Sequence, residues 1–273
     1  MNEKEFVKLK KELLLEYKDI FSIYEELNYY LREIEKKIKK IAKYYKPQEM
    51  TIVALLLKSI RTFESIYLLF RNCFYNDAFI LLRVLFEEMI RIQYCCKGEK
   101  ECDKYRLRER NDEIEKIKKA LKIPESPVLL NILNVKSLDK IKEKLTERRE
   151  EYEEYKDRLK KSYDKEELKV KKIAEETDNS ELYSYFYSLT SDELHSLPPS
   201  LGKYYSHGDN GKINGFLPRT KMEKCDITII LTAMDFILSS WKPILKLFNI
   251  SEDEKISKLT KKINKMTEKY YNK

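Results

Sequence analysis

The sequence has few of the residues that break a backbone. Glycine occurs five times and proline seven times in 273 residues, too few for the many tight turns of a β-sandwich or the repeated loops of a doubly wound sheet. Four of the five glycines, Gly202, Gly208, Gly211 and Gly215, fall within residues 183–218. Histidine is scarcer still, and both copies, His195 and His207, lie in that same stretch. The five cysteines, Cys73, Cys95, Cys96, Cys102 and Cys225, form no paired C-x-x-C framework, so reduced or buried thiols are expected rather than disulfides or a structural zinc site. The phosphate loop, the dinucleotide fingerprint and the serine-hydrolase elbow are all missing. No apolar run reaches the length of a membrane span without charge, and the N-terminal MNEKEFVKLKKELL lacks the apolar core of a signal peptide, which gives a cytoplasmic protein with no membrane partner as the expectation.

What is present is helix-forming. Lys, Glu, Leu and Ile dominate, and 42% apolar residues are enough to fill a core. The expected fold is therefore all-α: a single multi-helix bundle with a buried helical hairpin and a long charged helical arm. A charged helix occupies residues 1–46, with Phe6, Leu13, Tyr17, Ile20, Tyr24, Leu27 and Leu31 recurring at threes and fours. Pro47 suits the first turn of the next helix, where its missing N–H is not needed. The apolar run TIVALLLKSIRTFESIYLLFRNCF and the run AFILLRVLFEEMIRIQYCC, separated by a cap at Tyr75-Asn76-Asp77, form the buried hairpin. Residues 47–250 make the helical core domain, with a charged arm at 137–176 opened by a Ser137 cap and a Gly/Pro-rich loop at 196–219. Within the arm a break is expected near residues 162–164. Asn179 and its neighbours cap an aromatic helix whose tyrosines, Tyr183, Tyr185 and Tyr187, are expected to be core. Asp226 opens another apolar helix, which Pro243 is placed to kink. Ser251 and Glu254 have capping-box spacing for an amphipathic helix over 251–273.

The net charge of +8 is spread over alternating signs, as on solvated helix faces. Two local excesses stand out, one with Lys39, Lys40 and Lys43 beside Tyr44-Tyr45, the other with Lys261 and Lys262 ahead of Tyr270-Tyr271. Such a mixture can bind phosphates and stack bases if the two runs converge, and otherwise serves solubility and the helix dipole. The arm is a candidate surface for a protein partner, and a homo-oligomer is a further candidate state.

Charged residues inside an apolar helix must pair or line a cavity. Arg83 and Glu87 are one turn apart on one face of the second core helix, with Glu88 and Arg91 beside them. They form either a self-satisfied ion pair or the floor of a polar pocket. Ser191 and His195 are also four apart, directly before Pro198-Pro199, which would stop the helix and hold the imidazole at its rim. His195 is then either a general acid or base near neutral pH or a helix-capping histidine. A metal site built from His195, His207, Asp209 and Glu87 lacks the ligand spacing of known motifs, so no metal and no cofactor is expected.

LLRVLFEEMI, with Arg83-x-x-x-Glu87, followed by LYSYFYSLTSDELHSLPPSL, with Leu189-x-Ser191-x-x-x-His195, resembles an uncharacterised bacterial family of all-helical domains. That family's pattern is an Arg-x-x-x-Glu core helix and a later Tyr-x-x-Leu-Ser-x-x-x-His-Pro segment. Here Thr190 separates Leu189 from Ser191, and Ser196 stands where proline often follows the histidine. The resemblance covers roughly residues 50–245 and implies Arg83, Glu87, Ser191 and His195 as one constellation. Such domains look distantly similar to HEPN proteins of abortive-infection and toxin systems, in which an Arg-x4–6-His motif cleaves RNA without metal. That motif is absent here, the nearest arginine before His195 being Arg158. The implied function is a defence or toxin-like protein with a metal-independent RNA-cleaving or nucleotide-binding site. The alternative is a non-enzymatic interaction protein whose Arg/Glu/Ser/His network is structural.

Overall fold

A computed structural model of the chain describes residues 3–41, 46–122, 137–159, 169–194, 205–207, 213–216, 227–251 and 254–271. These form ten helices and one small hairpin: α1 Glu3–Glu16, α2 Lys18–Ile41, α3 Pro47–Arg71, α4 Tyr75–Cys96, α5 Glu99–Ala120, α6 Leu138–Leu159, α7 Val170–Glu176, α8 Ser180–Leu194, β1 Tyr205–His207, β2 Ile213–Phe216, α9 Ile227–Leu247 and α10 Glu254–Tyr271. The fold is all-α. The two short strands pair antiparallel, Tyr205 opposite Phe216, with an irregularity after Ser206.

Helix α4 is the hub, touching α3, α5, α7, α8 and α9. It runs antiparallel to α3, with Gln48 Nε2 donating to Cys95 O (2.7 Å) at one end and Phe70 packed edge-on against Tyr75 at the other. Pro47 starts α3, as its φ-restricted ring and missing N–H favour. The backbone N–H of Lys46 is taken up by the Glu49 carboxylate at 3.2 Å. Helix α2 lays Ile20, Leu27, Leu31, Ile34 and Ile38 on the core, and its Tyr24 stacks face to face on Tyr67 of α3 at 3.7 Å. Among the described residues α9 alone is long and apolar enough to cross a membrane, and 67% of its most apolar window is buried inside the bundle. Trp241 of α9 is fully buried.

Several local expectations are corrected. The N-terminal helix is two helices: at Tyr17 the chain tightens, with Ile20 N–H bonding Tyr17 O three residues back, and the Tyr17 ring meets Tyr270 at 5.5 Å. The α3–α4 break comes at Asn72-Cys73-Phe74, ahead of the expected Tyr75-Asn76-Asp77. There Cys73 takes φ +62°, while Phe74 N–H bonds Leu69 O and Cys73 N–H bonds Phe70 O. This is a Schellman ending with cysteine where glycine is usual. Asp178 after α7 (φ +58°) and Asn249 after α9 (φ +51°) repeat it, the latter through Ile250 N–H to Leu245 O. Left-handed backbone is disfavoured for residues with a Cβ by about 1–2 kcal/mol, least for Asn. Asn249→Gly is therefore expected to raise unfolding free energy by a few tenths to about 1 kcal/mol in urea titration, and Asn249→Val to lower it by at least that much.

The charged arm is also built differently. Ser137 does cap it, its Oγ accepting from Lys140 N at 3.4 Å, but α6 pairs antiparallel with α5 rather than standing alone. Ile114, Ile117, Ile141 and Leu145 form a small separate core there. Arg110 and Arg148 alternate with Glu113 and Glu151 in a closed ring of ion pairs, Arg148 reaching Glu113 at 3.0 Å and Glu151 at 2.7 Å. Residues 170–176, grouped with the arm by their charge, bury Ile173 and Ala174 in the main core instead. The expected break near residues 162–164 lies outside the described residues.

Pro243 sits inside α9. A proline there has no N–H for the carbonyl four residues back, Ser239. The side chain of Gln93 on α4 supplies the missing donor, Nε2 to Ser239 O at 3.4 Å, and its Oε1 accepts from Asn179 Nδ2 at 2.9 Å. One amide thus ties the start of α8 to the proline gap of α9.

Candidate functional site

Helices α4 and α8 lie antiparallel, as the Gln93–Asn179 bond near one end and the Arg83–Tyr187 contact near the other show. Phe86, Phe186 and Phe236 join them to α9, with centroids 5.3 to 5.8 Å apart. Beside this joint runs a polar seam. Glu87 is the middle of a ladder along α4, accepting from Arg83 Nε at 3.4 Å and Arg91 Nη2 at 2.7 Å. All three side chains are largely buried, Arg83 most deeply at 14% exposed. The guanidinium of Arg83 lies 4.1 Å from the ring centroid of Tyr187, and Tyr187 is 5.2 Å from Tyr183. Burial, the neighbouring Tyr187 and Glu87 push the Tyr183 hydroxyl up, against an opposing pull from Arg83.

The expected site residues are brought together in part. Arg83 and Glu87 share the seam. Ser191 lies in α8, four residues beyond Tyr187 and eight beyond Tyr183, so its backbone belongs to the same helix face. His195 lies outside the described residues, and so does Lys43. His207 is in β1. Neither of the two described cavities is lined by Arg83 or Glu87. Among the described residues no three His, Cys, Asp or Glu side chains are grouped to hold a metal ion.

One atom in the seam is unaccounted for. Arg83 Nη1 is buried and has no hydrogen-bond partner among the described residues. An unpaired buried N–H costs about 1–3 kcal/mol, so this edge of the guanidinium is set for an acceptor.

Glu88, adjacent in sequence to Glu87, faces the opposite way. It is fully buried against α3, where its Oε1 is 3.2 Å from Thr62 Oγ1 and 3.5 Å from Lys58 Nζ, and its Oε2 has no partner among the described residues. Burial pushes this carboxyl above its ordinary range despite Lys58.

Two of the three α8 tyrosines depart from expectation: Tyr185 is 62% and Tyr187 43% exposed, while Phe186 between them is core and Tyr183 packs against the core. The lysine runs are spaced by the α2–α10 register. These helices are antiparallel, with Asp19 at 3.5 Å from Lys269 and Glu26 at 2.6 Å from Lys262. Lys39 is thirteen residues beyond Glu26, about 20 Å along the helix, and is itself paired to Glu35 at 2.7 Å. Lys40 and Lys261 are exposed.

No curated protein and no solved structure matches this chain. The match is to a family, and it covers residues 49–213, spanning α3 to α8 and with them both sides of the Arg83–Tyr187 seam. The chain belongs to DUF5677, a family of unknown function.

Proposed function

We propose that the α4–α8 seam is the phosphate-recognising part of a metal-independent RNA-cleaving or nucleotide-binding site, in a cytoplasmic protein of a bacterial defence or toxin-like system. The observation that carries this reading is the buried Nη1 of Arg83, which has no partner among the described residues. Its Nε is taken by Glu87 and one face by Tyr187, so the guanidinium is fixed in orientation with a donor edge free. A phosphate oxygen is the acceptor that a pre-oriented guanidinium serves best. Tyr183 and Tyr187 add aromatic surface of the kind on which bases stack. In cleavage, His195 takes the proton of a 2′-hydroxyl, that oxygen attacks phosphorus, and the bond to the 5′-oxygen breaks as that oxygen takes a proton from solvent water. Arg83 stabilises the charge that builds on phosphorus oxygens. The products are a 2′,3′-cyclic phosphate and a 5′-hydroxyl.

The test is RNA binding and cleavage in EDTA by wild type, His195→Ala and Arg83→Ala, with folding checked by circular dichroism. Loss of a proton-transfer group is expected to slow cleavage about 10²–10⁴-fold, and Arg83→Ala is expected to weaken binding as well. A second reading is favoured by the mutual pairing of Arg83, Glu87 and Arg91: a non-enzymatic interaction protein whose seam is structural and whose α5–α6 hairpin meets a protein partner. Absence of cleavage and binding, with both variants destabilised, selects that reading.

A further inference from the structure

On the other side of α8 from the seam lies a cavity of about 680 Å³ between α4, α8, α9 and α10, within the range of small-molecule sites. Phe79, Leu82, Phe186, Ile229 and Ile263 give it apolar walls. Helix geometry separates the two sites: Leu182 and Phe186 turn toward the cavity, whereas Tyr183 and Tyr187 turn toward Arg83. Among the described residues the cavity wall holds one ionisable carboxylate, Asp235.

Asp235 interrupts the run ITIILTAMDFILSSW, where every neighbouring helical position is apolar or neutral. No ion pair joins it to any described residue. Its side chain stays exposed at the mouth, yet burial against the apolar wall pushes the carboxyl above its ordinary range, with Lys242, two turns on, pulling the other way. Thr232 and Asn264 bring further neutral polar groups to the same wall. An apolar chamber with one carboxylate at its rim, unpaired among the described residues, is complementary to a molecule with the opposite arrangement.

We propose that this cavity binds a small amphipathic organic amine, its apolar body among Phe79, Leu82 and Phe186 and its ammonium on the Asp235 carboxylate. A charge-assisted N–H···O bond fixes the orientation of the ligand, and burial of its body supplies most of the affinity. This site is independent of the seam and stands or falls separately from the phosphate reading.

The experiment titrates the full-length protein with three matched probes, 2-naphthylmethylamine, 2-naphthylmethanol and 2-naphthoic acid, by calorimetry at neutral pH. The amine is expected to bind about tenfold or more tightly than the alcohol, the worth of roughly one charge-assisted bond, and the acid more weakly than either. Asp235→Asn is expected to erase the amine-over-alcohol preference while both still bind. Thr267→Phe, which fills the cavity from the half-buried face of α10, is expected to abolish binding of all three with the thermal unfolding of the variant unchanged. Failure of the amine to bind, equal binding of amine and alcohol, or an amine preference that survives Asp235→Asn overturns the proposal.

Discussion

Phe86→Ala is expected to lower the unfolding free energy by about 3–5 kcal/mol, measured by urea titration with an unchanged denaturant slope. Phe86 is 1% exposed and meets Phe186 of α8 at 5.8 Å and Phe236 of α9 at 5.4 Å. Truncation removes the ring shared by three helices, and none of the surrounding helices can close the gap without breaking its other contacts. Phe86→Leu keeps most of the volume and is expected to cost less than half as much. The functional consequence follows from position, because Arg83 and Glu87 flank Phe86 on α4 and Tyr187 follows Phe186 on α8. A seam whose two sides are joined through these rings loses its geometry when they go. A loss below about 1 kcal/mol would mean that the three-ring joint does not hold α8 in place.

Glu88→Gln is expected to make the protein more stable at neutral pH and to flatten the pH dependence of stability on the acid side. Burial raises the Glu88 carboxyl above its ordinary range, so the folded protein holds this proton more tightly than the unfolded chain. The sign is the reverse of a salt-bridged surface acid. Stability is fullest below the ordinary carboxylate value and is lost as pH rises through the window between that value and the raised one. The glutamine carries no such titration, and the difference between variant and wild type isolates the residue from every other carboxylate. The gain at neutral pH is about 1.4 kcal/mol for each unit by which the carboxyl is raised. The partly solvated Lys58 offsets little of it, its side chain being 60% exposed. Parallel stability curves for wild type and variant between pH 4 and 8 would sink the argument.

Much of this fold was legible from spacing alone. The α3–α4 hairpin, Pro47 at a first turn, the Ser137 cap and the amphipathic last helix all follow from local rules that packing did not override. The end of α3 did not, because the usual signal for a left-handed stop is glycine and this chain uses Cys73, Asp178 and Asn249 instead. Nor did the partners of the arm: α5 and α6 meet through Arg and Glu residues that look, in one dimension, like any solvated charge run. In the seam, the four-residue spacing announced the Arg83–Glu87 pair, and one further turn added Arg91. What spacing could not supply was direction. Glu87 and Glu88 are consecutive, yet one faces α8 and the other α3. Tyr187 reads as core because Phe186 beside it is core, and only the position of α4 shows that it covers a guanidinium. Asp235 carried a signal in the sequence, a lone acid in an apolar helix, but its cavity exists only once α10 has closed over it.

The amide of Gln93 fills the gap left by Pro243, and this bears on how such a chain can change over generations. Losing the glutamine first strands Ser239 O and takes one acceptor from Asn179, a step that selection for stability resists. Losing the proline first restores the helical N–H, and the glutamine is then free to drift. The two positions, 150 residues apart, thus have a permitted order of substitution, and the history of one constrains the other.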